Sequence, residues 1–167
     1  MTLPVSRRIG FLAIFLACAG MMAFALYLQY YEFLNPCPLC IFQRVCVIAV
    51  GVIALIAALH NPKSAGGVRV YTVLGLLTAA TGFGVAARHA YIQTLPPDQV
   101  PACGPGLNYM LQNMPFGTVL KTVLYGSGEC AQIDWSLLGI SLPGWVAIAC
   151  LGLFLVFAWV GFAKRKA

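Results

Sequence analysis

Two cysteines, with two residues between them, stand at the start of a long apolar segment. They are the ends of Cys37-Pro38-Leu39-Cys40, and Arg44 follows Cys40 by one helical turn. Two thiols this close cannot join distant parts of the chain, but they are suited to forming and breaking a disulfide with each other. The spacing therefore predicts a redox-active pair and not a structural staple.

Pro38 suits the first turn of a helix, where its missing N–H is not needed. Cys37 is then the cap residue, and Cys37, Cys40 and Arg44 fall within an arc of ~60° on one helix face. Both the helix N-terminus and a guanidinium stabilise a thiolate, so we expect Arg44 to act most directly on Cys40. Cys46 points to the opposite face and is interpreted as buried packing.

A second pair, Cys103 and Cys130, lies in a long polar segment later in the chain. A zinc site would prefer two closely spaced pairs, and these two cysteines are far apart in sequence. Haem attachment requires a histidine after the second cysteine of the first pair, where Ile41 stands. We therefore expect no metal and assign all four cysteines to thiol–disulfide chemistry.

The composition is that of an integral membrane protein. Hydrophobic residues make up 61% of the 167 residues and charged residues only 8%, with a mean hydropathy of +0.89. The net charge of +6 does not indicate nucleic-acid binding, because most Lys and Arg residues flank apolar segments as topology-setting charges do. The length suits a single membrane domain covering residues 1–167.

Four uncharged or nearly uncharged segments are long enough to cross a bilayer, which needs ~20 residues. We place the helices at about residues 9–31, 38–59, 70–89 and 143–163. Gly66-Gly67 is expected in the turn before the third helix. The first segment also resembles a secretory signal, but its length favours an uncleaved helix. The fold class is therefore an all-α, four-transmembrane-helix bundle with a long loop over about residues 90–142.

The charges predict the orientation. Both termini and the short loop before the third helix carry most of the basic residues, and all four acidic residues lie on the other side. By the positive-inside rule the termini are cytoplasmic. The four cysteines then face outward, which at the inner membrane of a bacterium is the oxidising periplasm.

The long periplasmic loop contains one amphipathic segment, Phe116–Tyr125, with apolar residues at helical spacing. This pattern predicts a short surface helix that either lies flat on the membrane or packs on the bundle. Either arrangement would keep the Cys103–Cys130 segment close to the membrane.

Electrons that reach Cys37 and Cys40 must leave again for turnover. Because the chain has no motif for a soluble nucleotide, haem or metal, a lipid-soluble quinone beside Arg44 is the economical acceptor, either ubiquinone or menaquinone. Arg88 is interpreted as a side chain that snorkels to the lipid headgroups. His89 has either that role or a part in binding quinone.

Taken together, these residues resemble the DsbB family of bacterial disulfide bond formation proteins. The resemblance covers nearly the whole chain. It includes Pro36-Cys37-Pro38-Leu39-Cys40-Ile41-Phe42-Gln43-Arg44, Arg88-His89, Gln93, the segment from Leu95 through Cys103 to Pro105, Gly128-Glu129-Cys130, Trp135-Ser136-Leu137-Leu138-Gly139 and Pro143-Gly144-Trp145.

The resemblance implies a four-helix bundle that reoxidises a periplasmic thioredoxin-like oxidase, DsbA, and passes the electrons to a membrane quinone. By position, Cys103 and Cys130 form the disulfide exchanged with that partner, and Cys103 takes the mixed disulfide. Cys37 and Cys40 form the quinone-linked disulfide, with Cys40 facing the quinone and Arg44 assisting.

Two other functions fit parts of this pattern. In a vitamin K epoxide reductase-like protein the loop cysteines precede the closely spaced pair, which is the reverse of the order here. A non-catalytic membrane scaffold stapled by Cys103–Cys130 would gain ~3–4 kcal/mol from the bond. It would leave Cys37 and Cys40 without a role.

Overall fold

A computed structural model of the chain describes residues 2–3, 6–96, 98–102, 104 and 106–165. The helices, in chain order, are α1 (Arg7–Tyr30), α2 (Pro38–His60), α3 (Ala65–Ile92), α4 (Leu107–Asn113), α5 (Phe116–Tyr125) and α6 (Leu142–Phe162). The four long ones, α1, α2, α3 and α6, are long and apolar enough to cross a membrane. The predicted fold class, an all-α protein with four membrane-spanning helices and a long loop that carries a short helix, is confirmed.

The four long helices pack as a bundle around one apolar core. Helix α2 packs on both α1 and α3, and α3 packs most extensively on α6. Helices α1 and α6 meet much less extensively. The core includes Phe11, Ile14, Val50 and Phe157, and the Phe11 and Phe157 rings lie 5.8 Å apart between centroids. The bundle is therefore tightly joined except along the seam between α1 and α6.

Small residues let α3 and α6 approach each other closely. A Cβ atom at Gly75 would lie 2.6 Å from Cδ1 of Phe157, and one at Gly161 would collide with the Thr72 side chain. Thr72 is fully buried and donates its hydroxyl to the Val68 carbonyl at 2.8 Å, so it exposes no unsatisfied polar group to the core. Glycine at these positions is what allows the contact.

The third helix is longer than the sequence indicated. It begins at Ala65 because Ser64 caps it, its Oγ accepting the Gly67 N–H at 3.1 Å. Gly66 and Gly67 therefore belong to the first helical turn and do not form the turn that was expected there. The preceding helix ends at His60, and the left-handed backbone of its cap residue Asn61 (φ 45°) breaks the helical path.

The first and last described segments of the chain meet at one end of the bundle. Strand β1 (Thr2–Leu3) pairs in parallel with β4 (Lys164–Arg165), and Arg7 Nη2 donates to the Ala163 carbonyl at 3.1 Å. The long loop lies at the opposite end. The bundle therefore has one end for the termini and another for the loop, as predicted.

The long loop folds into several short elements. After α4 and α5 come a 3₁₀ helix (Gly128–Ala131) and a hairpin of β2 (Ser136–Leu137) and β3 (Ile140–Ser141). Helix α5 occupies the residues predicted for the surface helix. Val119 and Val123 are buried in a second apolar cluster with Leu39 and Ile92, whereas Phe116 is exposed. One face of α5 thus packs on the bundle, which fixes the loop above α2 and α3.

Candidate active site

The first pair of cysteines lies at the N-terminus of α2. Cys37 is the N-cap residue, and its Sγ accepts the backbone N–H of Cys40 at 3.4 Å. Pro38 occupies the first turn, as predicted. The Cys37 thiol also donates to the Cys40 sulfur, with 3.2 Å between the two Sγ atoms. The two sulfurs are therefore placed to form a disulfide with little rearrangement, and the helix N-terminus favours negative charge on them.

A buried histidine from α3 stands against both thiols. His89 is only 2% exposed, with Nε2 3.7 Å from Cys37 Sγ and Nδ1 3.9 Å from Cys40 Sγ. Gln43, on the helix face beside Cys40, places its amide nitrogen 3.0 Å from Nδ1. With Gln43 donating to Nδ1, the ring carries its proton on Nε2 and donates it to the Cys130 carbonyl at 3.1 Å.

Cys130 lies beside this group, although it is far from it in sequence. The 3₁₀ helix carries it inward, so that its side chain is only 1% exposed and its Sγ lies 3.6 Å from the Ser127 hydroxyl. The Cys130 sulfur, the Cys37 sulfur and a His89 ring nitrogen lie within 4.8 Å of one another. Interaction with the Cys37 sulfur, together with burial, raises the pKa of the Cys130 thiol above its ordinary value.

Arg88 of α3 and Gln93, the residue that caps the end of α3, hold the loop that carries Cys130. Arg88 Nη2 donates to the Tyr125 carbonyl at 2.9 Å, and its Nε donates to the Leu124 carbonyl at 3.4 Å. Gln93 donates to the Gln132 carbonyl at 3.1 Å. The interpretation of Arg88 as a side chain that snorkels to lipid is therefore corrected, because its donors cap the last carbonyls of α5.

Arg44 lies one turn deeper in the bundle and reaches across to α1. One guanidinium nitrogen donates to the Gln29 side chain, and Nη2 donates to the Ala25 carbonyl at 3.1 Å. Arg44 lines a cavity of about 940 Å³ together with Cys37, Cys40 and other residues of the active-site group. This volume is at the upper end of the range typical for small-molecule sites.

The walls of the cavity are mostly apolar and come from several elements. Phe24 and Leu28 of α1, Trp145 and Ala149 of α6, and Trp135 of the loop all contribute. The Phe24 and Trp135 rings meet edge to face at 5.7 Å between centroids. The cavity thus lies at the seam between α1 and α6, where the bundle is least tightly packed.

Of the six candidate site residues, five lie around this cavity or beside it. Cys103 falls outside the described residues, so its position relative to Cys130 stays a prediction. Its neighbours Ala102 and Gly104 line a small cavity of about 240 Å³ with Gly126 and Glu129. Ala102 and Gly104 therefore lie close to the turn that leads into Cys130.

Sequence reasoning did not single out Gln43 or Gln29 as site residues. Gln43 is 5% exposed, and a glutamine next to Arg44 within a largely apolar helix was a signal for a buried polar partner. The three remaining described cysteines lie within the spans. Cys18 and Cys150 are buried and Cys46 is partly buried, in keeping with the packing role predicted for Cys46.

Comparisons with known proteins agree on one family. The family model described as "Disulfide bond formation protein DsbB" matches residues 7–160. Relatives described as "Disulfide bond formation protein B" include those of Nitrosococcus oceani (52% identical, covering 92% of this chain and 89% of the relative) and Hahella chejuensis (52%, covering 93% and 94%). The Acinetobacter baylyi relative is 56% identical over 83% of this chain and 81% of its own length. The chain therefore belongs to the DsbB family and is a multi-pass membrane oxidoreductase of disulfide bond formation.

Proposed function

We propose that the chain reoxidises a periplasmic thioredoxin-like dithiol oxidase of the DsbA type and passes the two electrons to a membrane quinone. The observation that carries the proposal is the position of Cys130, with its sulfur within 4.8 Å of the Cys37 sulfur and with Cys37 and Cys40 lining a large apolar cavity. A cysteine of the loop and a large cavity, which could admit an electron acceptor, thus meet at the N-terminus of α2.

The exchange begins at the loop disulfide between Cys103 and Cys130. A thiolate of the partner attacks Cys103, forms a mixed disulfide and releases Cys130 as a thiolate. The second thiol of the partner then attacks the partner's first sulfur, which is bonded to Cys103 in the mixed disulfide. This step leaves the partner oxidised and the loop pair reduced. Two electrons and two protons have passed from the partner to Cys103 and Cys130.

The second exchange moves those electrons to α2. The Cys130 thiolate attacks Cys37 in the Cys37–Cys40 disulfide and releases Cys40 as a thiolate. Cys103 then attacks Cys130, which restores the loop disulfide and leaves Cys37 and Cys40 reduced. The fixed helix N-terminus favours the Cys40 thiolate as the leaving group, and His89 lies close enough to both α2 sulfurs to take or return a proton.

The residues around the cavity fit a quinone. The cavity is large and mostly apolar, and a quinone ring carries two carbonyl oxygens that need hydrogen-bond donors. Arg44 has five N–H donors, of which its contacts to α1 engage two nitrogens. When bound, a quinone supplies the capacity to take up two electrons and two protons. Arg44 would hold it beside Cys40, with Gln29 positioning the guanidinium, and the aromatic walls would exclude water.

The orientation is part of the proposal. The termini lie at the basic end of the bundle and the active site at the opposite, acidic end. With the basic end in the cytoplasm, as the positive-inside rule requires, the four cysteines face the periplasm of a bacterial inner membrane. A periplasmic dithiol oxidase can then reach the loop, while the acceptor enters from the bilayer.

The test is quinone reduction by the purified protein with a reduced partner oxidase, followed by the change in quinone absorbance. Cys37→Ser and Cys40→Ser are expected to abolish turnover while the helical content stays that of the parent, because this pair closes too short a loop to matter for stability. Cys150→Ser, which changes a buried thiol in α6, is the matched control and should leave turnover unchanged. Near-normal turnover in either site variant would refute the proposal.

A further inference from the structure

Three potential metal ligands converge at the inner end of the loop. They are Cys37 at the start of α2, His89 of α3 and Cys130 of the 3₁₀ helix, and one ligand atom from each lies within 4.8 Å of the other two. Around a tetrahedral zinc ion, with Zn–S and Zn–N distances of ~2.3 and ~2.0 Å, neighbouring ligand atoms are about 3.5–3.8 Å apart. Side-chain movements of about 1 Å would therefore complete the coordination geometry.

We propose that Cys37, His89 and Cys130 bind one soft divalent cation, Zn²⁺ or Cd²⁺, when these cysteines are reduced, and that the bound ion holds the protein in its reduced form. The proposal does not depend on the identity of the electron acceptor. It requires only that both thiols be free at the same time, which occurs whenever both cysteine pairs are reduced.

The chemistry of the three ligands favours this class of ion. Thiolate and imidazole ligands select zinc and its softer relatives over magnesium or calcium, which prefer oxygen. Binding converts two thiols to thiolates and releases two protons, so the ion, two thiolates and a neutral imidazole carry no net charge. Such a neutral group suits a site where His89 and Cys130 are 2% and 1% exposed.

Gln43 provides the outer contact that a metal-binding histidine requires. Its amide lies 3.0 Å from His89 Nδ1. For Nε2 to bind the ion, Nδ1 must carry the proton, and Gln43 must then turn its amide so that the oxygen accepts it. This rotation of the Gln43 amide exchanges two atoms of similar size. Metal binding then replaces the present hydrogen bond from Nε2 to the Cys130 carbonyl with a metal bond.

The cluster leaves a fourth coordination position open. Cys37 and His89 both line the large cavity, so water there can complete a tetrahedral shell. Cys40 is not among the three clustered ligands. The expected site therefore has three protein ligands and depends on Cys130 and not on Cys40, which separates it from simple chelation by the closely spaced pair.

Redox state decides whether the site exists. A disulfide between Cys37 and Cys40, or one that includes Cys130, removes a thiolate ligand. An ion that binds only the reduced protein stabilises that form by mass action. It also keeps Cys37 and Cys130 from attacking, or being attacked by, other sulfurs.

The direct test is a Cd²⁺ titration of the reduced full-length protein in detergent, without quinone or partner, read from the ultraviolet absorption of cadmium–thiolate bonds. All variants are made in a Cys103→Ser protein, which lacks the cysteine outside the described residues. We expect this parent to bind about one ion when reduced and to show no cadmium–thiolate absorption band when oxidised. Cys130→Ser and His89→Ala should each weaken binding at least ~10-fold. Cys40→Ser and Cys150→Ser should retain it.

Unchanged binding in Cys130→Ser would overturn the proposal. So would a loss in Cys40→Ser as large as that in Cys130→Ser, because the ion would then belong to the α2 pair. Cys130→Ser changes a single atom, so it keeps the test valid if His89→Ala does not fold. Oxidation of the reduced thiols by the soluble two-electron oxidant diamide should be slowed by Cd²⁺ and restored by a chelator. An equal rate with and without Cd²⁺ would refute the claim that the ion holds the reduced form.

Discussion

The contact between Arg88 and α5 can be broken without disturbing the bundle. Arg88→Met keeps an unbranched aliphatic side chain but removes the N–H groups that bond to the Leu124 and Tyr125 carbonyls at 3.4 and 2.9 Å. Those carbonyls end α5, and Cys130 follows them by a few residues. The substitution should therefore weaken the docking of the segment that carries Cys130.

The size of the effect follows from the two hydrogen bonds. A hydrogen bond to a charged donor contributes ~1.5–3 kcal/mol when buried, and a solvent-exposed one contributes less. Because both bonds here are exposed and one is long, we expect a combined loss of ~1–2 kcal/mol. That loss multiplies the fraction of undocked loop by roughly 5–30.

Alkylation of Cys130 measures that fraction. The side chain is 1% exposed, so a soluble reagent reaches it only when the loop opens, and the rate follows the open population. In the reduced protein, mass spectrometry of the Cys130 peptide should show alkylation ~5–30-fold faster in Arg88→Met than in the parent. Arg69→Met, on the exposed surface of the same helix, is the matched control and should have no effect. An unchanged Cys130 rate in Arg88→Met would show that Arg88 does not hold the loop.

Three further predictions concern the site itself. Arg44→Ala should raise the apparent KM for quinone by roughly 10–100-fold through loss of a charged donor. Arg44→Lys should recover only part of that loss, because an ammonium lacks the planar fork of donors. Steady-state kinetics with varied quinone test this, and an unchanged KM in Arg44→Ala would leave Arg44 as a contact to α1 alone. A partner oxidase that lacks its second cysteine should form one mixed disulfide, at Cys103, and peptide mapping that placed it on Cys37 would contradict the proposed electron path. The raised pKa of Cys130 lowers its thiolate fraction at a given pH, so its alkylation rate should keep rising with pH beyond the ordinary thiol value of ~8.5. Cys37→Ser removes the first cause of that shift and should move the profile to lower pH, and coincident profiles would refute the assignment of the cause.

Much of the framework was predictable because it depends on local sequence. Pro38 and the apolar run after it locate the start of α2, and the spacing of apolar residues locates α5 at the residues the structure shows. The bounds of α3 were predicted less well because the predicted helix follows the apolar run between Arg69 and Arg88. Hydropathy reports where a helix meets water, and the helix itself continues in both directions as far as its hydrogen bonds and caps allow.

The contacts across the site were harder to predict. The position of Cys130 against Cys37 and His89 depends on the packing of α5 on the bundle and on the bonds from Arg88, and sequence spacing contains neither. Helix α4 has only seven residues, too few for a periodic pattern to stand out. The bond between Gln43 and His89 joins residues 46 positions apart, so the pairing could be seen only in the folded bundle.

Cys37 is both a reacting sulfur and the cap of the helix that carries it, which couples the redox state to the stability of the first turn of α2. As a thiol or thiolate its sulfur accepts the Cys40 N–H, whereas a sulfur shared with Cys40 in a disulfide is a poorer acceptor. A cap acceptor contributes ~0.5–2 kcal/mol, which for a two-electron couple corresponds to roughly 10–40 mV. The cap favours the reduced form, so it makes the pair a stronger oxidant. Each turnover then forms and breaks the cap hydrogen bond at the first turn of α2. A substitution that changes only the fraying of this turn would therefore shift the reduction potential of the Cys37–Cys40 disulfide without contacting it.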